Sequence, residues 1–164
     1  MANSWFEFKQ FRILQEKAAM KVGTDGVLLG AWVELPDLGK ALDVGTGTGL
    51  IALMMAQRNS LLDILGLEID EDASVEAIQN ITLSPWRNRI NVNHISFQDF
   101  LSCNTAKFDL IVSNPPFFTT SVKAPREQRS VARHADVLPS EIILKGAKQL
   151  LVQDGTIAVI LPVI

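Results

Sequence analysis

The chain has little of several features that mark particular classes of protein. Its 164 residues include one cysteine, Cys103, so no disulfide can form within the chain, which favours a reducing compartment. Its two scattered histidines, His94 and His134, give no metal-ligand spacing. No apolar run approaches the ~20 residues that span a bilayer, and no basic segment followed by an apolar one opens the chain. We therefore expect a cytoplasmic protein without a membrane segment or a metal; the oligomeric state is not predicted.

An overall excess of positive charge is also absent. The net charge is −3, which is unfavourable for a non-specific binder of polyanions. Residues 121–134, however, contain four basic side chains and one acidic one, whereas the rest of the chain has 11 basic and 17 acidic residues. The four are Lys123, Arg126, Arg129 and Arg133. They suit phosphate contacts, but a solvated loop whose arginines pair with nearby acids explains them as well.

Apolar and amphipathic segments alternate along most of the chain. Apolar residues make up 48% of the sequence and charged residues 20%, which is typical of a globular domain with one core. The pattern predicts strands at 41–45, 63–69, 90–95, 108–113 and 156–162, and helices at 25–33, 49–58, 71–82 and 140–151. This order predicts an α/β fold with a doubly wound, mainly parallel sheet covered on both faces. We divide the chain into an N-terminal extension, residues 1–35, and a core, residues 36–164.

A stiff segment with two acceptors follows the fourth predicted strand. In Asn114-Pro115-Pro116-Phe117, neither proline donates an N–H, and each fixes its own φ at about −65°. The residue before each proline is kept out of the helical region, so the segment is an extended rim at a strand's carboxyl end, where open α/β sheets bind ligands. The Asn114 side-chain oxygen and the Pro115 carbonyl, beside the Phe117 ring, suit a planar group that carries an –NH2. An ordinary Asx-Pro loop with a buried Phe remains the alternative, less favoured explanation of the motif taken alone.

A glycine-rich turn joins the first predicted strand of the core to its helix. The segment 43–49, Asp-Val-Gly-Thr-Gly-Thr-Gly, places glycines where the backbone can take positive φ and approach a ligand closely. The unpaired N–H groups at the helix start suit an anionic group such as a carboxylate. Glu68 ends the next strand, 19 residues after Gly49, at the distance expected for an acid that takes both ribose hydroxyls.

The spacing of the glycines distinguishes between nucleotide classes. The dinucleotide fingerprint is G-x-G-x-x-G, whereas this turn is G-x-G-x-G, with Leu50 where the third glycine of the fingerprint would be. This departure argues against a nicotinamide or flavin site. A turn whose glycines serve only tight packing remains an alternative.

Together these motifs resemble the Rossmann-like class of S-adenosylmethionine-dependent methyltransferases. The resemblance rests on the turn at 43–49, on Glu68 and on the motif at 114–117, a variant found in members that methylate adenine or guanine amines and glutamine amides. A more specific block at 21–26, Lys-Val-Gly-Thr-Asp-Gly, resembles bacterial enzymes that methylate the adenine just 3′ of the anticodon in valine tRNA. The likeness runs from about Phe6 to the last residue.

The resemblance implies a class I methyltransferase fold with S-adenosyl-L-methionine as the cofactor and tRNA as the partner. It implies a cofactor site made of Lys21, Gly23, Thr24, Asp43, Gly45, Gly47, Glu68, Asp99, Phe100 and Asn114. Asp99 would bind the adenine amine of the cofactor, although it equally suits a cap in its loop, and Phe100 would flank the adenine ring. Thr24 would meet the cofactor's carboxylate. In this fold residues 1–35 would pack over the cofactor.

The resemblance also implies which residues are catalytic and which strands of the family's sheet this chain lacks. Asn114, Pro115 and Phe117 would hold the substrate base. Family members finish their sheet with a reversed hairpin after the fifth strand, so we expect the sixth and seventh sheet strands to be missing from this chain. The apolar strand predicted at 156–162 would then be an uncovered sheet edge.

Three functions stay open at this stage. A methyltransferase acting on an adenine in tRNA is favoured by the arginines in residues 121–134 and by the block at 21–26. A methyltransferase acting on a protein glutamine amide, or on an rRNA or DNA base, shares the Asn-Pro-Pro-Phe motif. The third is a non-catalytic fragment that keeps the fold, with or without the cofactor.

If residues 121–134 contact RNA phosphates, replacing Arg126, Arg129 and Arg133 by Ala should weaken tRNA binding and flatten its salt dependence. The slope of the logarithm of the binding constant against that of the salt concentration should fall by about 0.7 per lost single-strand contact. Filter binding at several salt concentrations measures this slope, with Arg87→Ala as the control outside the segment. An unaltered slope in the triple variant would show that these three arginines make no contact with RNA phosphates.

Overall fold

The computed structural model describes residues 3–116 and 139–161. In these ranges the strands are β1 (Trp5–Glu7), β2 (Arg12–Leu14), β3 (Gly39–Val44), β4 (Leu62–Glu68), β5 (Ile90–His94), β6 (Phe108–Ser113) and β7 (Leu151–Val159). The helices are α1 (Thr24–Trp32), α2 (Leu50–Arg58), α3 (Glu71–Thr82), α4 (Phe97–Cys103) and α5 (Ser140–Leu150).

A five-stranded parallel sheet organises the structure. Its strand order is β5-β4-β3-β6-β7, and every neighbouring pair is parallel. The chain moves outward from β3 to β5 and then returns to place β6 on the other side of β3, so the order reverses between β3 and β6. Open α/β sheets bind ligands beyond the carboxyl ends of the strands at such a reversal. The doubly wound parallel sheet predicted from the sequence is confirmed.

Alternate residues of the central strands enter two separate hydrophobic cores, as the two-residue period of a strand requires. Ala41 and Leu110 belong to the core beneath α1, α2 and α3, whereas Leu42 and Ile111 belong to the core beneath α4 and α5. Because both faces of the sheet are covered, the central strands β3 and β6 are mostly apolar and buried, and this is the pattern that predicts them from the sequence.

The N-terminal extension packs onto two of these helices. Strands β1 and β2 form an antiparallel ladder apart from the main sheet, in which Trp5 pairs with Leu14. Ile13 is buried in the same core as α1, α2 and α3, and the following helix, α1, lies against α2. Because β1 and β2 are counted first, β6 and β7 are the fourth and fifth strands of the main sheet. The two further sheet strands expected from the resemblance would follow β7, and the described residues contain none there.

The observed helices and main-sheet strands differ most from the predicted ones at α4 and at β7. Helix α4 has no predicted counterpart, because seven residues are too few to show a helical period. Strand β7 begins at Leu151 instead of residue 156, and its pairing with β6 shifts register between Phe108 and Leu110. Gly155 therefore lies inside the strand, beside this irregularity.

Gly30→Ala should destabilise the protein although alanine favours a helix. A Cβ at position 30 would lie 2.9 Å from the Met54 Cβ, where α1 packs on α2. Overpacking of this kind costs about 1–3 kcal/mol in the free energy of unfolding, more than the roughly 0.5–1 kcal/mol by which alanine exceeds glycine in a helix. Denaturant unfolding measures the change, with Ala31→Ser, an exposed neighbour, as the control. If Gly30→Ala instead raised the free energy of unfolding, the close packing of α1 on α2 at this position would be contradicted.

Candidate active site

The glycine turn between β3 and α2 presents open backbone at the sheet edge. Gly45, Gly47 and Gly49 have φ angles of 75°, 56° and 81°, a left-handed conformation that other residues rarely adopt. A Cβ on Gly45 or Gly47 would meet no described atom within 4 Å, whereas one on Gly49 would contact the Ala77 Cβ at 3.6 Å. The packing-only alternative therefore describes Gly49, while Gly45 and Gly47 leave room for a ligand.

A buried carboxylate lies beneath this turn. Asp43 Oδ2 accepts a hydrogen bond from Thr46 Oγ1 at 2.7 Å, and its Oδ1 has no hydrogen-bond partner among the described residues. Burial is the main reason that the pKa of Asp43 is raised from 3.8 to about 7; the bond from Thr46 opposes the shift and the charge of Glu68 adds to it. A buried acceptor without a partner is costly. A ligand that brings a positive charge or a donor would relieve that cost.

Glu68 connects the end of β4 to the glycine turn. Its Oε2 accepts a hydrogen bond from the Gly47 N–H at 2.8 Å, and its Oε1 accepts one from the Asp70 N–H at 3.0 Å. The residue is 8% exposed. Each carboxylate oxygen keeps a further lone pair, so two hydroxyl groups could still donate to it.

Asn114 places a second acceptor without a partner at the same edge. It follows β6 directly, and the last residue of that strand, Ser113, is paired with Val44 of β3. Asn114 Oδ1 is buried and has no hydrogen-bond partner within residues 3–116 and 139–161. Pro115, the next residue, is buried as well. The structure therefore brings the glycine turn and the Asn-Pro-Pro segment together, as the sequence predicts.

The start of α1 lies beside Asn114. A Cβ on Gly26 would be 3.8 Å from Asn114 Nδ2 and 3.2 Å from Leu50 Cδ2, so the first turn of this helix reaches the site. Gly23 is the N-cap of α1 and no side chain caps the helix. Lys21 and Thr24, at this end, are exposed. The sequence did not single out Gly26, although it stands in the block at 21–26.

Asp99 and Phe100 belong to α4, just after β5. The Asp99 N–H donates to Ser96 Oγ at 3.0 Å, and the Ser96 hydroxyl donates to Asp99 Oδ2 at 2.6 Å. Asp99 thus takes part in a helix cap, which is the alternative role that its sequence position suggested. Phe100 is 2% exposed and packs near Phe108 in the core beneath α4 and α5. Its burial argues against the expected stacking on the cofactor, because almost none of its surface is accessible.

Some predicted residues lie outside the described ranges. They are Phe117, Lys123, Arg126, Arg129 and Arg133. Their roles stay predictions. In the part of the chain that the structure describes, no three His, Cys, Asp or Glu residues are grouped to hold a metal ion. Among the helices of that part, none is both long and apolar enough to cross a membrane.

A cavity of about 520 Å³ lies elsewhere, at the opposite edge of the sheet. Asp109 near the start of β6, Asp154 and Thr156 of β7, and Pro36 are among the residues that line it. None of the predicted site residues is in its wall. The carboxyl edge holds the open glycines and both buried acceptors that lack a partner among the described residues, so its chemistry places the candidate site there and not in this cavity.

Comparison with known proteins shows what this arrangement is similar to. Residues 19–162 match the family model described as methyltransferase small domain. A curated relative from Bacteroides thetaiotaomicron, named tRNA1(Val) (adenine(37)-N6)-methyltransferase, is 53% identical over 99% of this chain and 68% of its own length. A relative of the same name from Trichodesmium erythraeum is 50% identical over 99% of this chain and 69% of its own length.

Solved structures share the fold. A SAM-dependent methyltransferase from Thiobacillus denitrificans, in complex with S-adenosyl-L-homocysteine, has a TM-score of 0.60 over 88% of this chain and 50% of its own, at 14% identity. A ribosomal protein L11 methylase from Lactobacillus delbrueckii has a TM-score of 0.56 over 83% of this chain and 57% of its own, at 21% identity. At these identities the likeness shows the fold alone.

Asp43→Asn should change how stability depends on pH. In the ligand-free protein the folded Asp43 carboxyl has a pKa of about 7, against 3.8 for the ordinary value, so between these values the folded state holds a proton that the unfolded state has lost. The contribution of Asp43 to the free energy of unfolding therefore falls as the pH rises from about 4 to about 7 and then levels off. Denaturant unfolding should show the variant gaining stability over the unsubstituted chain as the pH rises from about 4 to about 7, with no further gain above that range.

The matched control for this prediction is Asp63→Asn, which removes an exposed acid from β4. Its stability relative to the unsubstituted chain should not follow the same course. A difference between Asp43→Asn and the unsubstituted chain that is independent of pH would show that Asp43 is ionised throughout.

Proposed function

The chain belongs to the methyltransferase small domain family, and from this premise we propose that it transfers a methyl group from S-adenosyl-L-methionine to the exocyclic amine of an adenine in tRNA. The observation that carries the proposal is the meeting of the Asn114 acceptor and the open glycine turn at one strand edge. The first suits the substrate amine, and the second leaves room for the cofactor.

The residues at this edge fit the cofactor. Gly45 and Gly47 leave space in front of the turn, and Glu68 keeps lone pairs for ribose hydroxyls. Asp43 has a buried oxygen without a partner, which suits the positive charge of the cofactor. When bound, the cofactor supplies an electrophilic methyl group carried by a sulfonium. The uncapped start of α1, with Gly23 and Thr24, offers backbone donors to its carboxylate.

Asn114 acts on the nucleophile. An adenine amine is a weak nucleophile because its lone pair is delocalised into the ring. Acceptors at Asn114 Oδ1 and the Pro115 carbonyl would receive its two protons and favour the pyramidal nitrogen on which positive charge develops. Because two prolines keep this segment stiff, the amine is held in line for attack, and orientation of this kind contributes on the order of 7–11 kcal/mol. The methylated nitrogen loses its proton readily, so no strong general base is needed.

The substrate class is supported by three separate observations. Two relatives at 50% and 53% identity carry a name that specifies adenine 37 of a valine tRNA. The block at 21–26, whose last glycine packs beside Asn114, favours the same substrate. The basic residues of the segment 121–134 would contact tRNA phosphates. With tRNA as its substrate, the chain would act in the cytoplasm.

A protein glutamine amide is the second candidate substrate, because Asn114 and Pro115 would suit its –NH2 in the same way. Transfer of a labelled methyl group from S-adenosyl-L-methionine, offered bulk tRNA and bulk protein separately, distinguishes the two. Label in tRNA, at the exocyclic amine of adenine after digestion to nucleosides, supports the proposal. Label in protein but not in tRNA would favour a glutamine amide as the substrate. Binding of NAD without binding of S-adenosyl-L-methionine would overturn both candidate functions.

Asn114→Ala should remove catalysis while leaving cofactor affinity nearly intact. Its oxygen meets the substrate amine, and loss of one preorganised group that stabilises transition-state charge costs roughly 10²–10³ in turnover. Single-turnover transfer to tRNA and calorimetry with S-adenosyl-L-homocysteine measure the two quantities. The matched control is Asn91→Ala, an exposed asparagine of β5. Near-full turnover in Asn114→Ala would show that another residue positions the nitrogen.

A further inference from the structure

Helix α3 carries two buried polar side chains that the proposed reaction does not use. Glu76 and Asn80 are four residues apart, and so lie on one side of the helix, and they are 3% and 1% exposed. Charged and amide side chains are rarely buried to this degree unless they are fully paired. Both face the N-terminal extension, in a region of the chain about 60 residues earlier.

Glu76 binds three successive backbone donors of that extension. Its Oε1 accepts from the N–H groups of Glu16 at 2.7 Å and Lys17 at 3.0 Å, and its Oε2 accepts from the N–H of Ala18 at 2.8 Å. No amide or hydroxyl group can accept three such bonds in this geometry, because each presents at least one donor or has a single oxygen. A carboxylate, which only accepts, is therefore required at position 76.

Asn80 links the extension to the glycine turn. Its Oδ1 accepts from the Leu14 N–H at 2.8 Å, and its Nδ2 donates to the Leu14 carbonyl and to the Thr48 carbonyl, each at 2.9 Å. The side-chain amide pairs with Leu14 as a neighbouring strand would. Its second N–H reaches Thr48, between Gly47 and Gly49 of the turn. The two carbonyls and the one N–H permit only this orientation of the amide.

Gln15, in the same segment as Leu14 and Glu16, forms the hydrogen bonds that connect this segment to the start of α1. Its Oε1 accepts from the Val22 N–H at 2.8 Å and its Nε2 donates to the Asn3 carbonyl at 3.0 Å. Val22 directly precedes Gly23, the N-cap of α1, and the first turn of that helix lies beside Asn114. These buried and half-buried hydrogen bonds, joined through the backbone of residues 14–18, connect α3 to the glycine turn and to the start of α1, and we call them the linkage.

We propose that Glu76 and Asn80 are positioning residues for the methyl transfer, which hold residues 14–18 against α3 and so place the glycine turn and the start of α1 around the cofactor. They act through these segments and not by contact with the reacting atoms. This inference rests on the proposed function. It differs from a purely structural role in one respect: loss of the linkage should weaken cofactor binding by more than the loss of stability explains.

Glu76→Gln tests the proposal because it keeps the shape and replaces an acceptor by a donor that faces a backbone N–H. We expect the dissociation constant for S-adenosyl-L-homocysteine and the KM for the cofactor to rise about tenfold or more. The turnover at saturating cofactor should fall by less than about threefold, and the dissociation constant for tRNA should change by less than about twofold. Glu76→Asp, which keeps the anion on a shorter side chain, should recover part of the affinity. Hydrogen exchange should accelerate at the amides of residues 16–18.

Ile90→Val is the matched control for stability. It removes one buried methyl group from β5, whose residues make none of the hydrogen bonds of the linkage, and should lower the melting temperature without changing cofactor affinity. If Glu76→Gln does not fold, Gln15→Met provides the same test, because it breaks the bond to Val22 with little change of volume. A Glu76 or Gln15 variant that melts earlier but binds the cofactor as tightly as Ile90→Val does would overturn the positioning role.

The same measurements separate the two proposals. If the unsubstituted chain binds the cofactor but methylates no tRNA, the proposed substrate is wrong, while the affinity series still supports or overturns the positioning role. If the unsubstituted chain binds no S-adenosyl-L-homocysteine, both proposals are overturned.

Discussion

The parallel pairing of β3 with β6 holds the candidate site together. The two strands end side by side, with Val44 opposite Ser113, and the Ser113 hydroxyl donates a buried hydrogen bond of 2.8 Å to the Val44 carbonyl. The glycine turn begins one residue after Val44 and the Asn-Pro-Pro segment one residue after Ser113. Residues that are about 70 positions apart in the chain therefore leave the sheet at neighbouring points, so a methyl donor and its acceptor amine can be held in contact.

The edge so formed is assembled at the expense of stability. Asp43 and Asn114 each keep a buried oxygen without a partner among the described residues, and burial raises the pKa of Asp43 to about 7. Protein cores normally satisfy such groups, so their concentration at one edge indicates a surface made for a ligand. The linkage from Glu76 and Asn80 does the opposite, because every backbone group it meets is paired. The segments beside the site are thus held by paired hydrogen bonds, while the site itself keeps polar atoms without partners among the described residues.

Local patterns were sufficient for much of the fold. Helix α3 and strand β6 have the bounds that the sequence predicts, 71–82 and 108–113, because the period of apolar residues and the capping of α3 by Asp70 are properties of short segments. The glycine turn and Asn114 could also be predicted from the sequence. Glycine is favoured where the backbone φ is positive, and both motifs directly follow strands that the apolar pattern predicts. Where the pattern was short, as in the seven residues of α4, the prediction failed.

What the sequence by itself determined was the order of the five main-sheet strands and of four helices along the chain, the motif residues at the strand ends and the family that they resemble. Only the tertiary structure decided which side chains those residues meet. It buried Phe100 in the α4–α5 core, engaged Asp99 in a helix cap and placed Glu76 against the amides of residues 16–18. The physical reason is that a hydrogen bond between segments about 60 residues apart depends on how helices and strands pack. A carboxylate on a helix has the same sequence signature whether it faces water or a ring of backbone donors.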